Sequence, residues 1–401
     1  MNGIFRVLMK QLVLNSAMDP NGKVNHELES SAEVLLNTDI LREVLLRADA
    51  KTICTCGCVC KIWNETIADP FFVNKHRDQS SKAECLLFLV SVHEDYGYCH
   101  KYTTVDYKKL DMEAIVVAVF GVANVYNDHD YIAFGGDLVC IVKDSVSFDE
   151  TIVLWLCNPQ TGQTRALPEP FDYTDDYCVR TNEGCVFGYV SSKREYVVLM
   201  MGLFCYDDDA DYYRYYRDYY EDDESDLLMR AKKFVFSLDK DNIDFAYWEE
   251  IQGNSPCHVG EDGILVGNSA YWVAVERDGR QIVTLDREED KFGLVAKPAD
   301  WNPASTPCLV GLKVLWSLIK SSGDSDWEKE YEISLDFPVR VVPGSSSGGE
   351  LIIKSQPDIA GKFVEYYVLN PETESVRFVY SGEIRMYSAK VGFYWRSFFA
   401  I

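Results

Sequence analysis

A change of pattern at Ala83 constrains the fold of this chain more than any other feature. Before it, from Leu35 to His76, apolar residues recur at three- and four-residue spacings, which is the period of an amphipathic helix. After it, short runs of β-branched and aromatic residues alternate with turn residues, which is typical of all-β proteins. The sequence therefore predicts a small domain of three short helices, the third of which ends at Asp69-Pro70. A large domain of short strands follows it.

A local pattern recurs in the β-rich part, where a strand ends in Asn or Asp and a tight turn follows. It is found at Asn158, Asp239, Asp286 and Asn370. Asp286 lies 47 residues after Asp239, and Asn370 lies 84 residues, or two units of 42, after Asp286. Units of about 40 to 50 residues with several strands are typical of β-propeller blades. The predicted fold is therefore mainly β with a small α domain, and the β part is propeller-like with about six blades. A β-sandwich is the alternative.

The composition limits the partners that the chain can bind. Its net charge is −25, so its surface would repel nucleic acid and anionic membranes. We therefore predict no nucleic-acid and no membrane partner. Thirteen cysteines without framework spacing are typical of free thiols in a reducing compartment, which predicts a cytoplasmic or nuclear location.

The sequence contains no arrangement typical of catalysis or cofactor binding. Its six histidines show no metal-ligand spacing, and neither a nucleophile elbow nor a phosphate-binding loop is found. Cysteines alternate at Cys54, Cys56, Cys58 and Cys60. Structural zinc sites use two-residue gaps, and alternate residues on a helix point about 200° apart. We therefore predict a non-catalytic protein that holds no metal and no cofactor.

The helical part resembles a plant F-box in segments 36–41, 44–47, 58–63 and 67–73. The resemblance implies that a helical pair inserts apolar side chains into an SKP-type adaptor, which bridges to cullin and RING subunits. Trp63 is equally compatible with a place in the core of the domain itself. The adaptor contacts that the resemblance implies are Leu36, Ile40, Leu41, Leu45, Leu46, Val59, Cys60 and Trp63.

Two positions depart from the F-box pattern. Asn37 and Asp49 stand where the family usually has proline. Asn37 can cap the first helix, so we expect adaptor binding to be retained, with lower affinity. Asp49 places a charge in the turn between the first two helices.

The β-rich part resembles the F-box-associated domain of plant F-box proteins, in particular the S-locus F-box-like group. The similar segments include 82–84, 155–168, 187–189, 248–251 and 326–329. The implied organisation is a disordered leader over residues 1–33, an F-box over 34–76 and an F-box-associated domain over 83–401. Residues 394–399 depart from the usual closing strand of that domain, so the sequence does not predict how the β domain closes.

An unusual acidic segment covers residues 207–226, with ten acidic residues, six tyrosines and two arginines. Such a surface suits a basic partner, because charge steers the encounter and tyrosine rings supply contact area at low entropic cost. A solvated loop that tolerates insertion is the alternative. The candidate target-binding residues are Asp207, Asp208, Asp209, Tyr212, Tyr213, Tyr216, Tyr219, Tyr220, Glu221, Asp222 and Asp223.

The resemblance implies a substrate-recognition subunit of an SKP–cullin–F-box ubiquitin ligase. Such a subunit acts by holding its protein target close to the ubiquitin-charged enzyme, which raises their effective concentration. The S-locus group implies basic ribonucleases as targets and a role in self-incompatibility, while general protein turnover stays open. Two alternatives remain: a ligase-independent protein-binding module with a degenerate F-box, and a propeller that binds a glycan or small molecule.

Overall fold

The computed structural model describes residues 38–80, 85–94, 97–105, 117–120, 131–143, 153–170, 178–190, 192–205, 228–236, 246–276, 279–295, 312–320, 325–334, 339–345, 349–355, 363–383 and 390–394. The chain divides into two compact units, a helical one and a β one, with the boundary between Ala83 and Glu84. Across the described residues, no helix is both long enough and apolar enough to cross a membrane.

The helical unit consists, within residues 38–80, of α1 (Thr38–Leu45), α2 (Ala50–Cys56), α3 (Lys61–Ala68) and α4 (Pro70–Ser80). The prediction of three helices is therefore wrong. Asp69 and Pro70 end α3, as expected, but they also begin α4. Proline is tolerated in the first turn of a helix, and the Asp69 carboxylate accepts a hydrogen bond from the backbone N–H of Phe71 at 3.0 Å.

One apolar core holds these short helices together. Each of the first three helices contributes side chains three or four residues apart, so that one face of each is buried. Helices of 7 or 8 residues are marginal by themselves, so their stability depends on this shared core. Its buried members are Leu41, Leu45, Leu46, Ile53, Cys56, Trp63, Ile67 and Phe72.

The β unit confirms the predicted change to a mainly β architecture. Its strands are β1 (Cys85–Glu94), β2 (Gly97–Val105), β3 (Val117–Phe120), β4 (Tyr131–Gly135), β5 (Leu138–Lys143), β6 (Val153–Asn158), β7 (Gln163–Ala166), β8 (Cys178–Val190), β9 (Glu195–Cys205), β10 (Leu228–Phe236), β11 (Trp248–Glu250), β12 (Val259–Val266), β13 (Ser269–Glu276), β14 (Gly279–Asp286), β15 (Lys291–Val295), β16 (Leu312–Lys320), β17 (Ser325–Ser334), β18 (Val339–Ser345), β19 (Leu351–Ser355), β20 (Phe363–Asn370), β21 (Ser375–Glu383) and β22 (Lys390–Tyr394).

The described strands form sheets in the orders β22-β1-β2-β3, β4-β5-β6-β7, β11-β10-β9-β8-β12-β13-β14-β15, β16-β17 and β18-β19-β20-β21. The eight-stranded sheet consists of two antiparallel halves, which one parallel bridge between Cys185 and Asp262 joins. Neighbouring strands within each half follow each other along the chain, so each half is a meander. The shared cores lie between successive sheets, as in the cluster formed by β4–β6 and β8–β10.

The first sheet is completed by a strand from the far end of the β unit. β22 pairs antiparallel with β1, from Cys85 opposite Tyr394 to Leu89 opposite Lys390. The sequence did not predict this pairing, because residues 394–399 differ from the usual closing strand. The pairing joins two segments that are distant in sequence.

The recurring Asn or Asp pattern marks the hairpin between the third and fourth strands of a four-stranded meander, which for Asp286 is the half β12–β15 of the eight-stranded sheet. The side-chain oxygens of Asn158 and Asp286 each accept a hydrogen bond, at 2.9 Å, from the backbone N–H two residues later. Asn370 accepts one from the N–H three residues later at 3.1 Å. These oxygens stabilise the turns because Asn and Asp side chains satisfy backbone donors locally. Asp239, the fourth predicted position, lies outside the described residues.

Glycines allow the first strands of successive four-stranded groups to approach closely, where each half of the eight-stranded sheet counts as one group. A Cβ atom on Gly135 of β4 would lie 2.5 Å from the Phe187 ring of β8. Likewise, a Cβ on Gly392 of β22 would overlap the ring of Phe134 on β4. A side chain of any other residue type at these positions would displace a ring. The pairs that share this arrangement are Gly392 with Phe134, Gly135 with Phe187, and Gly188 with Leu265.

Candidate functional site

The first helix, α1, separates a buried face from an exposed apolar residue. Leu41 and Leu45 lie one helical turn apart in the core, and Leu46 follows them there. Ile40 is 44% exposed. Adjacent residues on a helix point about 100° apart, so Ile40 leaves the core face that Leu41 occupies. Ile40 is therefore the predicted adaptor residue of α1 that a partner could reach.

The predicted residues around α3 divide in the same way. Trp63 is buried in the helical core, and Val59 is partly buried against it. Cys60 is exposed at the N-cap position of α3, where its side chain forms no capping hydrogen bond. Leu36 lies outside the described residues. The structure thus brings Leu41, Leu45, Leu46 and Trp63 together in one core and leaves Ile40 and Cys60 at the surface.

Phe71 is an exposed aromatic residue that sequence reasoning missed. It is 67% exposed, whereas the neighbouring Phe72 is buried. Both follow Pro70 in the first turn of α4. Adjacent residues on a helix point about 100° apart, and here only Phe72 lies on the face that meets the core. The sequence did contain a signal for this: two adjacent phenylalanines follow Asp69-Pro70, and at the start of a helix one of the two rings is expected to face solvent.

Ion pairs tie α1 to α4 and to Asp69, the residue before it. The Arg42 guanidinium donates a hydrogen bond to the Asp69 carboxylate. Lys75 donates to the Glu43 carboxylate at 3.1 Å. Asp69 thus binds Arg42 with one oxygen and caps α4 with the other. The contact between Arg42 and Asp69 therefore links the two helices that carry the exposed residues Ile40 and Phe71.

Asp49 is the N-cap of α2 rather than only a charge in the inter-helix turn. Its backbone is extended, and its carboxylate accepts a hydrogen bond from the backbone N–H of Thr52 at 2.8 Å. A negative charge at this end also interacts favourably with the helix dipole. Asp49, which stands where the family usually has proline, therefore stabilises the start of α2.

We expect Asp49→Ala to lower the free energy of unfolding of the helical unit by about 1 kcal/mol, because one orphan N–H loses its acceptor. Hydrogen exchange of the α2 amides, measured by mass spectrometry on the full chain, checks this. Asp49→Asn keeps a capping oxygen and serves as the matched control. Equal exchange rates in both variants would show that the cap contributes nothing.

His76 is a buried polar residue that joins α4 to the turn after α1. Its Nε2 lies 3.0 Å from the carbonyl oxygen of Ala48, and its Nδ1 lies 3.2 Å from Ser80 Oγ. Burial lowers the pKa of His76 from its usual value of 6.5, and the Ala48 carbonyl opposes this shift. The folded unit therefore favours the neutral ring. Its contribution to stability is present above pH 6.5 and decreases as the pH falls below that value.

The alternating cysteines do not lie on a single helix. α2 ends at Cys56, so Cys58 and Cys60 follow it in a turn. The assumption that a helix carries the whole run is therefore wrong. Cys56 lies in the core, and burial raises its pKa to about 11. Within the described ranges, no three His, Cys, Asp or Glu side chains are placed to hold a metal ion. The acidic residues Asp207 to Asp223 lie outside the described residues, between β9 and β10.

Comparison with protein families identifies the helical segment. Residues 35–75 match the F-box domain. This segment is an F-box domain.

Parts of the chain are similar to F-box proteins of Arabidopsis thaliana. It is 23% identical over 266 residues to "Putative F-box protein At3g17500", over 64% of this chain and 58% of that protein. It is 23% identical over 264 residues to "F-box protein DOR", over 64% and 60%. It is 28% identical over 177 residues to "F-box/kelch-repeat protein At3g23880", over 41% and 44%. The matches thus span less than two thirds of the length of these relatives.

Similarity to solved structures is weak. TolB from Acinetobacter baumannii has a TM-score of 0.38 at 8% identity, over 84% of this chain and 73% of that one. A putative 6-phosphogluconolactonase from Bacteroides uniformis also scores 0.38, at 13% identity, over 78% and 99%. We draw no conclusion about function from scores this low.

Proposed function

We propose that this chain is a substrate-recognition subunit of an SKP–cullin–F-box ubiquitin ligase. The observation that carries the proposal is the F-box domain at residues 35–75, which is followed by a β unit large enough to bind a protein. F-box relatives along much of the chain support the same role. The subunit has no catalytic role in this proposal, and it works in the cytoplasm or nucleus.

The F-box surface binds the SKP-type adaptor through its exposed apolar residues. Ile40 and Phe71 are the large apolar side chains of the described helical unit that solvent reaches most. Buried apolar anchors supply most of the energy of such interfaces. Leu41, Leu45 and Trp63 support these residues from the core, and the exposed Cys60 remains a further proposed contact. Leu36 remains a further proposed anchor.

The β unit binds the target, and we propose that it is a propeller of about six blades. Four observations support this architecture: the four-stranded meanders, the recurring hairpin, the repeated glycine contacts and the pairing of β22 with β1. A relative whose name includes kelch repeats is consistent with it. The target is a basic protein, because the chain carries a net charge of −25 and opposite charges steer association.

Finer assignments belong to the same proposal. The acidic segment 207–226 supplies part of the target surface, and basic ribonucleases recognised in the manner of the S-locus group are one target class. General turnover of a basic plant protein is the other. The negative charge of the chain favours both target classes equally, so a binding experiment has to identify the target.

Adaptor binding tests the proposal directly. We expect the full chain to bind a plant SKP adaptor in a calorimetric titration, and Ile40→Asp and Phe71→Asp each to weaken binding at least tenfold. The reason is that a carboxylate buried in an apolar interface lacks a partner. Gln79→Asp is the matched control, because it adds the same charge two turns further along α4.

Three results are informative. Selective loss in the two variants supports the proposed surface. Binding that both variants retain would place the adaptor on another face of the F-box. A wild-type chain that binds no adaptor contradicts the ligase role and favours a ligase-independent binding module with a degenerate F-box.

A further inference from the structure

Two cysteines stand opposite each other at the end of one strand pair in the eight-stranded sheet. β8 begins at Cys178, β9 ends at Cys205, and the antiparallel register makes these two residues direct partners. The other described strand pairs that contain a cysteine place it opposite a different residue type. Cys185, the second cysteine of β8, lies opposite Met200 and is buried. We call the opposed residues the Cys178–Cys205 pair.

The backbone spacing of an antiparallel strand pair suits a disulfide at this position. Directly opposed residues have Cα atoms about 4.5 or about 5.5 Å apart, depending on whether the two residues exchange backbone hydrogen bonds. Disulfides span Cα distances of roughly 4.4–6.8 Å, so both kinds of position are within reach. Opposed residues also share one face of the sheet, with Cβ atoms about 4.5–5.5 Å apart. Disulfides have Cβ distances of about 3.5–4.5 Å, so the strand ends must approach by roughly 1 Å.

An irregularity in the β8–β9 ladder gives the strand ends room for this approach. Between Thr181 and Gly184, β8 has two more residues than β9, and regular pairing is interrupted. Four pairs, from Cys178 opposite Cys205 to Thr181 opposite Gly202, lie beyond this point. The described core residues of β8 and β9 lie on its other side. The strand ends can therefore shift without displacing those core residues.

The spacing favours a reversible bond over a permanent one. A disulfide that draws two strands together stores strain, and strained disulfides are more easily reduced. Cytoplasmic and nuclear proteins, the class proposed for this chain, rarely keep permanent disulfides, and those that form are usually transient or redox-sensing. Both considerations point to a bond that forms and opens with the redox state of the cell.

We propose that Cys178 and Cys205 form a reversible disulfide that responds to the glutathione redox state. One cysteine thiolate attacks the S–S bond of glutathione disulfide, which gives a mixed disulfide and releases one glutathione thiolate. The other cysteine thiolate then attacks the cysteine sulfur of the mixed disulfide and releases the second glutathione. The chain loses two electrons and two protons and gains one S–S bond. Glutathione disulfide takes up the electrons and protons and becomes two glutathione thiols.

The bond lies where the chain leaves the sheet. Residues 206–227 follow Cys205 directly, and the chain returns at Leu228 of β10, whose partner is Phe204 on β9. The acidic candidate target-binding residues begin at Asp207 in this interval. The oxidised pair therefore fixes one end of the proposed target-binding segment to β8. This consequence rests on the proposed function, whereas the bond itself does not.

Differential alkylation tests whether the bond forms. The reduced full chain is equilibrated with glutathione disulfide under native conditions, remaining thiols are blocked with N-ethylmaleimide, and peptides are mapped by mass spectrometry without reduction. We expect one peptide pair joined through Cys178 and Cys205, and we expect an excess of reduced glutathione to restore both thiols. Cys58→Ser removes an exposed cysteine of the helical unit. It is the control and should leave the bond unchanged.

Hydrogen exchange shows whether the bond closes the native strand pair. We expect the amides of residues 178–181 and 202–205 to exchange about tenfold more slowly in the oxidised chain than in the reduced chain, because the strand ends open less often. Cys178→Ser and Cys205→Ser should each abolish this difference, while Cys58→Ser should keep it. Both variants should exchange like the reduced wild-type chain, which separates loss of the bond from misfolding.

Several outcomes would overturn the proposal. They are the absence of a joined peptide from the native chain, a bond from either cysteine to a different cysteine, and a bond that forms only in the urea-unfolded chain. A bond that reduced glutathione cannot open would contradict its reversible character. These measurements contain neither adaptor nor target, so their failure leaves the result of the adaptor titration standing. A chain that forms the bond but binds no adaptor would support the pair and contradict the ligase role.

Discussion

The Leu45→Ala variant is expected to lose 2–5 kcal/mol of the free energy of unfolding of the F-box domain, the usual cost of truncating a fully buried leucine (roughly the range for core sites). Leu45 is 0% exposed and belongs to the core shared by α1 and the other helices. A unit this small has little stability to spare. Hydrogen exchange of amides in α1–α4 should therefore rise throughout the domain.

Val44→Ala is the matched control, because Val44 is the adjacent residue and is only partly buried. It should change exchange far less. A Leu45→Ala chain whose exchange stays at the wild-type level while adaptor binding is lost would contradict this expectation, since Leu45 would then act at the interface. The two measurements together separate core residues from contact residues, which adaptor binding alone does not.

The second large effect is expected at the glycine contacts of the β unit. Gly392→Ala should lower the free energy of unfolding by about 1–3 kcal/mol, because the added Cβ overlaps the ring of Phe134 and overpacking forces side chains from their preferred positions. Urea unfolding of the full chain, followed by tryptophan fluorescence, measures the change. The loss should appear in the transition of the β unit.

Two further variants make the glycine prediction specific. Gly293→Ala is the control, because a Cβ there would approach Thr284 Cγ2 only to 3.3 Å. The double variant Gly392→Ala/Phe134→Leu should recover part of the loss, since the smaller side chain makes room. If Gly392→Ala unfolds at the same urea concentration as Gly293→Ala, the close contact with Phe134 does not exist in solution.

The helical domain was largely predictable because its signals are local. Three- and four-residue spacing identified Leu41, Leu45 and Trp63 as members of an apolar set. The same spacing could not separate core from surface, because Ile40 and Leu41 are both apolar and only the packing of α2 and α3 decides which is buried. The cap at Asp49 was predictable, because an Asp directly before a helical stretch is a typical N-cap residue.

The sequence predicted the fold class of the β unit and the position of its hairpin turns. It did not predict which strands pair over long distances in the chain. Asn158 and Asn370 predict their turns from local sequence, because each side chain accepts a hydrogen bond from a backbone N–H two or three residues away. The pairing of β22 with β1 has no such local sign.

The pairing of β22 with β1 cannot form until nearly the whole β unit has been synthesised. About 300 residues separate Cys85 from its partner Tyr394. At roughly 5–20 residues per second, a ribosome needs on the order of 15–60 s to make the intervening chain. During that interval the nascent β1, which includes Leu86 to Val90, has one edge unpaired. Exposed apolar strand edges promote aggregation. We therefore expect the yield of folded protein to depend more on chaperone capacity during translation than on the stability of the finished fold.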